Sequence, residues 1–203
     1  IIRGLVEIVS RSAFKELSLA SAREGGEGLE LCKRIQPDLV LLDLELPDVD
    51  GFELVGMIRA AVASVRILIL SSHTEPYILH RVRQADVDGF VDKNEQSPEI
   101  LEKALVTVAG GGRFFSDAVQ HALVQLRADP RSFNKVLSER EQEMLRLFGQ
   151  GLHDPQIAER VKLSELTVRN HRRNIMAKLR VHSTPELIRY AVEHGFSRMK
   201  AKG

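Results

Sequence analysis

Apolar and polar positions along the chain follow two periods, and the changes of period mark its secondary structure. Spacings of three and four residues predict helices, whereas short continuous apolar runs predict strands that are buried on both faces. Over the first 112 residues, predicted helices and strands alternate, as in a parallel sheet wrapped by helices. These segments are helix 1–12, strand 17–22, helix 25–36, strand 38–46, helix 52–62, strand 66–70, helix 75–85, strand 89–93 and helix 98–109.

The pattern changes after three glycines at 110–112. A short amphipathic helix is predicted over 116–126, and the segment 128–134, which contains Pro130, is the expected linker. Beyond it, every predicted segment is a helix with a clear start signal. These starts are Ser138, which forms a capping box with Glu141, then Asp154 before Pro155, then Ser164, and finally Ser183 or Thr184.

The second and third of these helices are separated only by Lys162 and Leu163, and a helix-turn-helix needs such a tight connection.

The distribution of charge changes at the same place along the chain. Residues 1–115 hold 13 basic and 18 acidic side chains, whereas residues 133–203 hold 14 basic and 8 acidic ones. This asymmetry indicates that the C-terminal part contacts a polyanion. We predict an α/β domain at 1–112, a linker with a short helix at 113–134, and an all-α domain at 135–203.

Cysteine content and hydropathy limit the cellular setting. The single cysteine, Cys32, excludes an intrachain disulfide. No apolar run reaches the ~18 residues that a membrane helix needs, and the first residues are too mixed in charge for a signal peptide. We therefore expect a cytoplasmic protein with no membrane partner.

The third helix of the C-terminal set has a polar face that suits a nucleic acid. At about 100° per residue, one side of this helix carries Val168, Arg172, Ile175 and Leu179. The opposite side carries Arg169, Asn170, Arg173, Ala177 and Arg180. Arginine binds guanine and asparagine binds adenine through paired hydrogen bonds, and further arginines neutralise phosphates. A solvated basic face is the alternative, but the tight turn, the helix start signals and the domain charge favour binding to double-stranded DNA.

The segment LSEREQEMLRLFGQGLHDPQIAERVKLSELTVRNHRRNIMAKL resembles the LuxR-type helix-turn-helix. This resemblance adds Thr167 and His171 to the candidate DNA contacts. His171 lies at the edge of the apolar face, so a packed, hydrogen-bonded histidine and a phosphate contact both remain open. Two departures from the family pattern are visible: His153-Asp154-Pro155 replaces a usual run of small polar residue, Asn and Lys, and Arg180 stands where Gly is common.

A second set of polar residues lies at the carboxyl ends of the predicted strands. Asp43, Ser71 and Lys93 are each at or near such an end, and in a doubly wound sheet these ends form the ligand crevice. We therefore expect the three side chains to converge. A carboxylate nucleophile, a hydroxyl donor and an ammonium group together form a set that can accept a phosphoryl group.

The segments DLVLLDLELPDVDGFEL, ILILSS and GFVDK resemble a response-regulator receiver domain, and with the LuxR-type module they resemble the NarL/FixJ subfamily. The resemblance implies a CheY-like doubly wound sheet at 1–112. It implies that Asp43 is the phosphoacceptor, Ser71 the switch hydroxyl, Phe90 the switch aromatic and Lys93 the phosphate partner. It also implies a Mg²⁺ ion bound by Asp43 and the backbone carbonyl of Glu45, a sensor histidine kinase as phosphoryl donor, and a homodimer on DNA.

One departure concerns the start of the receiver. Receivers begin with a strand that ends in an acidic pair, and that pair binds Mg²⁺; no such pair precedes the first predicted helix here. We expect that the sequence is short at its start and that its Mg²⁺ site is incomplete. The missing strand would be central in the family's 2-1-3-4-5 order. A four-stranded remnant would have a gap in the middle of the sheet, with unpaired backbone groups beside it.

The leading interpretation is a transcription regulator that is controlled by phosphorylation and is not an enzyme. One alternative is a hydrolase that uses Asp43 on a similar sheet, although no general base or lid-sized insertion supports it. Another is a regulator that is independent of phosphorylation and responds to protein contacts alone, which the missing acidic pair favours.

Overall fold

The computed structural model describes residues 19–95 and 97–197. In its N-terminal part, helices and strands alternate as the hydrophobic pattern predicts. The elements there are α1 (Gly25–Ile35), β1 (Leu39–Leu42), α2 (Gly51–Ala61), β2 (Arg66–Ser71), α3 (Pro76–Gln84), β3 (Gly89–Asp92), α4 (Pro98–Ala109), β4 (Phe114–Phe115) and α5 (Asp117–Ala128). The C-terminal elements are α6 (Phe133–Val136), α7 (Glu139–Gly149), α8 (Asp154–Val161), α9 (Glu165–Leu179) and α10 (Thr184–Glu193).

The four strands form one parallel sheet in the order β1-β2-β3-β4. Leu68 of β2 lies opposite Gly89 of β3, and a Cβ atom at Gly89 would lie 2.5 Å from the backbone oxygen of Phe114, so only glycine fits there. The central strands are buried, and α4 covers one face with Ala104 and Val108. This arrangement confirms the predicted α/β fold with an all-α part after it.

The structure corrects the prediction of a strand at 17–22, because residues 19–22 are not in a strand. A strand needs a neighbour for its backbone hydrogen bonds, and β1 is the edge of the described sheet. The predicted helix at 1–12 lies outside the described residues. The predicted strand at 38–46 is also shorter, since β1 ends at Leu42, directly before Asp43.

A further correction concerns the end of the first domain. Phe114–Phe115, which the sequence placed in the linker, pairs with Gly89 and Phe90 as the fourth strand. The described sheet therefore consists of four contiguous strands. Two residues are too few to show an alternating pattern, so the sequence carries little signal for this strand.

The contact pattern divides the chain into two compact units. One unit ends at His121 and the other begins at Ala122, while the segment Glu75–His80 is grouped with the second unit. No helix of the described residues is both long enough and apolar enough to cross a membrane.

The C-terminal helices pack around a small apolar core. Ser138 and Glu141 form the predicted capping box at the start of α7. The predicted cap of α8 is wrong by one residue: His153 is the N-cap and Asp154 is the first helical residue. This shift leaves the Asp154 carboxylate available to side chains on other helices. The tight turn after α8 begins at Lys162, which adopts a left-handed conformation with φ of 54°. The residues fully buried in this core include Met144, Leu145, Ile157, Val168, Ile175 and Leu187.

Candidate phosphorylation site and nucleic-acid interface

The carboxyl edge of the sheet brings the predicted acidic and basic side chains together. Asp43 follows β1, Ser71 ends β2, and Lys93 follows β3, and these three strands are neighbours in the sheet. The Lys93 ammonium forms an ion pair with the Asp43 carboxylate, Oδ2 being the acceptor. The other carboxylate oxygen accepts a hydrogen bond from the Glu45 backbone N–H at 3.0 Å. The Asp43 carboxylate is therefore held in place but remains partly exposed.

Ser71 and Phe90 lie deeper in the sheet than Asp43. Both are fully buried, and Phe90 on β3 lies between Ile69 of β2 and Phe115 of β4. The Ser71 hydroxyl accepts a hydrogen bond from the His73 backbone N–H at 3.2 Å. This bond ties the hydroxyl to the loop that leads into α3.

The predicted Mg²⁺ ligands are only partly present in the described residues. Asp43 offers a carboxylate and Glu45 a backbone carbonyl, while the Glu45 side chain pairs with His73. In the part of the chain that the structure describes, no group of three or more Asp, Glu, His or Cys side chains could hold a metal ion. Mg²⁺ demands a near-octahedral set of oxygens, so the described residues alone do not form its site.

Two further acidic residues stabilise the loop after Asp43. Both Asp48 oxygens accept hydrogen bonds at 2.8 Å from the backbone N–H groups of Gly26 and Gly25, at the start of α1. These bonds hold the pKa of Asp48 below its usual value, with the Gly26 bond contributing most. A carboxylate at this position also interacts favourably with the helix dipole. The loop is thereby fixed to the N-terminus of α1.

Asp50 connects the same loop to α3. Its carboxylate accepts backbone hydrogen bonds from Phe52 and Glu53 at the start of α2, and it accepts two hydrogen bonds from Arg81 at 2.7 and 2.8 Å. The Arg81 guanidinium also lies 4.3 Å from the centre of the Phe52 ring. Burial opposes ionisation of Asp50, but Arg81 and the backbone donors outweigh it and hold the pKa of Asp50 below its usual value.

Helix α9 is the second helix of the helix-turn-helix, which is called the recognition helix in this motif. It presents the two faces that the helical pattern predicts. Val168 and Ile175 are buried against α7 and α8. Thr167 is half-buried and shares a 2.8 Å hydrogen bond with the Ser164 hydroxyl, which also caps the helix. His171 is half-buried as well. The exposed side chains of this helix and its C-cap include Arg169, Asn170, Arg173, Ala177 and Arg180. We define these five residues as the recognition face.

Two carboxylates pair with basic residues of α9, and sequence reasoning missed both contacts. The Asp154 Oδ2 atom lies 2.9 Å from Nη2 of Arg172, whose other amino group donates to Thr184 Oγ1 at 3.2 Å. Glu141 accepts two hydrogen bonds from Lys178. A signal existed for Arg172, because a charged residue on an apolar helix face needs a partner.

A large apolar side chain adjoins the recognition face. Leu166, three residues before Arg169, is 64% exposed. Residues three apart lie on the same face of a helix, so Leu166 stands beside the exposed arginine. Its position off the apolar side of the helix is the signal in the sequence that marks Leu166 as exposed.

A parallel α/β domain with a paired aspartate and lysine at its carboxyl edge, followed by a helix-turn-helix, defines a response regulator with a DNA-binding output domain. The family description "Response regulator receiver domain" matches residues 1–105, and "Bacterial regulatory proteins, luxR family" matches residues 135–191. The chain belongs to the two-component response regulators of the NarL/FixJ subfamily, which are DNA-binding transcription regulators.

Individual relatives resemble the chain over most of its length. It is 35% identical to the nitrate/nitrite response regulator protein NarL of Escherichia coli strain K12, over 83% of this chain and 79% of that protein. It is 32% identical to the Fimbriae Z protein of Salmonella typhimurium, over 96% of this chain and 92% of that protein. Among solved structures, RcsB of Salmonella enterica serovar Typhimurium bound to promoter P1flhDC with phosphomimetic BeF3- matches with a TM-score of 0.64, at 25% identity, over 93% of this chain and 91% of that one.

Proposed function

We propose that this transcription regulator is switched by phosphorylation of Asp43, with the phosphoryl group supplied by a sensor histidine kinase. The observation that carries the proposal is the ion pair between Asp43 and Lys93 at the carboxyl edge of the sheet. The protein acts in the cytoplasm as a regulator rather than as an enzyme. Two similar proteins carry names that support this role: the nitrate/nitrite response regulator protein NarL and the transcriptional regulatory protein MctR.

The chemistry follows from the positions of these groups. An Asp43 oxygen attacks the phosphorus of the phosphohistidine; an O–P bond forms, the P–N bond breaks, and its electron pair returns to the imidazole. The Lys93 ammonium then stays beside the new phosphoryl oxygens and balances their charge. In receivers Mg²⁺ supplies further charge neutralisation. Asp43 and the Glu45 carbonyl belong to its expected ligands.

The test is covalent labelling. A chain that carries a receiver's first strand and acidic pair at its N-terminus is incubated with acetyl phosphate and Mg²⁺, and the adduct is mapped by mass spectrometry. The chain without them should label poorly, because its set of Mg²⁺ ligands is incomplete. We expect a mass increase on Asp43 that Asp43→Asn abolishes. Asp38→Asn serves as a matched control, because Asp38 is an exposed carboxylate at the opposite end of the same strand. Labelling that persists in Asp43→Asn would contradict the assignment. If DNA affinity changes neither with acetyl phosphate nor with Asp43→Asn, regulation by protein contacts alone is favoured.

The recognition face is proposed to read DNA in the major groove as part of a homodimer. Arg169 lies in the N-terminal half of α9 and Arg173 lies one turn further on, near its middle; the N-terminal part of this helix reaches base edges in this motif. Asn170 accepts a hydrogen bond from Arg173 at 3.1 Å and can contact adenine. Leu166 offers an apolar contact to a thymine methyl group.

Titrations on an operator and on scrambled duplexes test this division of roles. Arg169→Ala or Arg173→Ala should cost about 1–3 kcal/mol on the operator and relax the preference at particular base pairs. Asn174→Ala is a control on the exposed side of the same helix and outside the recognition face. A loss of equal size on every sequence would show that the arginines supply only charge.

A further inference from the structure

A negatively charged side chain of α8, the Asp154 carboxylate, lies beside one of the exposed arginines of the recognition helix. The Asp154 Oδ2 atom is 2.9 Å from Nη2 of Arg172 and 3.9 Å from Nε of Arg169. The Asp154 side chain is only 11% exposed, whereas Arg169 is 63% exposed. The Asp154 carboxylate therefore faces both Arg172, on the apolar side of the helix, and Arg169, which belongs to the recognition face.

The Asp154 carboxylate is held in place. Both terminal amino groups of Arg172 have partners, since one pairs with Asp154 at the start of α8 and the other donates to Thr184 at the start of α10. The second carboxylate oxygen of Asp154, Oδ1, is buried and has no hydrogen-bond partner among the described residues. Asp154 thus has acceptor capacity beyond Arg172, and a second cation, Arg169, lies 3.9 Å from the same carboxylate, at Oδ2.

We propose that Asp154 is a specificity-determining residue, which orients Arg169 for reading guanine and disfavours its use as a phosphate contact. The carboxylate lies on the Nε side of the guanidinium. The two terminal amino groups are then left to donate to O6 and N7 of a guanine. The inference rests on the proposed base-reading role of Arg169.

Electrostatics decides the sign of each effect. In the free protein Arg169 is exposed, so water weakens its attraction to Asp154. DNA excludes that water, and the attraction then strengthens because the effective dielectric constant falls. The same negative charge repels phosphates near the start of α8, where this motif crosses the DNA backbone. Asp154 should therefore lower affinity for DNA in general while sharpening the choice of base.

The LuxR-type pattern has Asn at this position, so Asp154→Asn is the direct test. It removes the charge and preserves the size of the side chain. Selection from a random duplex library with the full chain first defines a preferred site. Wild type, Asp154→Asn, Arg169→Ala and the double variant are then titrated on this site, on its single-base variants and on a scrambled duplex.

We expect Asp154→Asn to bind the scrambled duplex about threefold more tightly. We also expect the affinity ratio between the preferred site and its variants at one G·C pair to fall about fivefold. That pair should be the one at which Arg169→Ala loses discrimination, and the double variant should lose no more than Arg169→Ala alone. Asp154→Ser should behave like Asp154→Asn, with thermal unfolding measured for each variant.

Two results would overturn the inference. A weakening of all duplexes by Asp154→Asn would show a purely structural role, because loss of the Arg172 contact lowers specific and non-specific binding together. A loss of discrimination at another base pair, or an additive loss in the double variant, would show that Asp154 does not act through Arg169. If Arg169→Ala itself changes no base preference, the proposed base-reading role fails first, whatever Asp154→Asn does.

Discussion

At the scale of single residues, Arg180 ends the recognition helix in a left-handed conformation, with φ of 57°. Glycine adopts this conformation without steric cost, whereas other residues do not. Arg180→Gly should therefore raise the free energy of unfolding by about 0.5–1 kcal/mol. The same change should weaken binding to all duplexes alike and reduce the salt slope by about one, because Arg180 is expected to meet a phosphate.

Urea unfolding and salt-dependent titrations separate the two effects. Arg180→Lys retains both the charge and the strain, so it should match the wild type in each measurement. Gln36→Gly removes a similar left-handed residue, with φ of 49°, from the first unit; it should raise stability without changing DNA binding. A sequence-selective loss in Arg180→Gly would contradict the phosphate assignment.

Asp50 predicts a pH dependence of stability. Its pKa is lowered in the folded protein, so its contribution is present above the unfolded-state pKa of about 3.9 and is lost as the pH falls through the folded-state value. Asp50→Asn keeps the cap of α2 but loses the charge pair with Arg81. We expect a loss of about 1–2 kcal/mol at pH 7 that shrinks below about pH 4.

The measurement is urea unfolding at several pH values. Asp86→Asn is the control, since Asp86 is exposed and forms a 3.3 Å ion pair with Arg59; exposed pairs contribute little. A difference between wild type and Asp50→Asn that stays constant down to pH 2 would show that the Arg81 pair does not set the pKa.

Most of these contacts between single residues could not be predicted from the sequence. Asp48 lies 22 residues from Gly26, and Asp50 lies 31 residues from Arg81, so no local spacing connects the partners. The convergence of Asp43 and Lys93 could be predicted, because the carboxyl ends of neighbouring parallel strands meet at one edge. Arg180 could also be noticed from sequence, since the family pattern has Gly at a position that needs positive φ.

At the scale of elements, β2 and α3 are connected through Ser71. The Ser71 hydroxyl accepts a hydrogen bond from His73 in the loop before α3. If the hydroxyl donates to a phosphate on Asp43, this loop and α3 should adopt a second arrangement, and Phe90 should change its packing. Ser71→Ala should then retain labelling of Asp43 but lose phosphate-dependent dimerisation and DNA binding.

Labelling by mass spectrometry and dimerisation by analytical ultracentrifugation check this coupling. Ser72→Ala is the matched control, because Ser72 is the next residue and is exposed. Full phosphate-dependent dimerisation in Ser71→Ala would show that the switch does not run through this hydroxyl.

Helices were predicted better than strands for a physical reason. The caps of α7, α9 and α10 are local signals of three or four residues, and the structure has each of them. Strands depend on neighbours that are distant in the sequence. The apolar residues at 17–22 therefore suggested a strand that residues 19–22 do not form, while β4, only two residues long, gave no period to read.

At the scale of the whole molecule, the predicted homodimer depends on the last helix, α10. The sequence of α10 contains four apolar residues, more than one small domain needs to cover, and this pattern predicts a dimer surface. The structure divides the four into two pairs. Leu187 and Ala191 are fully buried within their own unit, whereas Ile188 and Val192 remain partly exposed. Packing within the unit thus accounts for two of the four, and the dimer prediction now concerns Ile188 and Val192.

Val192→Glu tests whether that exposed pair joins two copies on DNA. A dimer that binds two half-sites gains affinity from the second contact, and a charge in an apolar interface would remove this gain. We expect about tenfold weaker binding to a duplex with two half-sites and little change on a single half-site. Leu187→Ala is the contrasting control, because it creates a cavity in the core and should weaken both duplexes together. If Val192→Glu weakened binding to both duplexes equally, Val192 would be shown to pack only within its own unit, as Leu187 does.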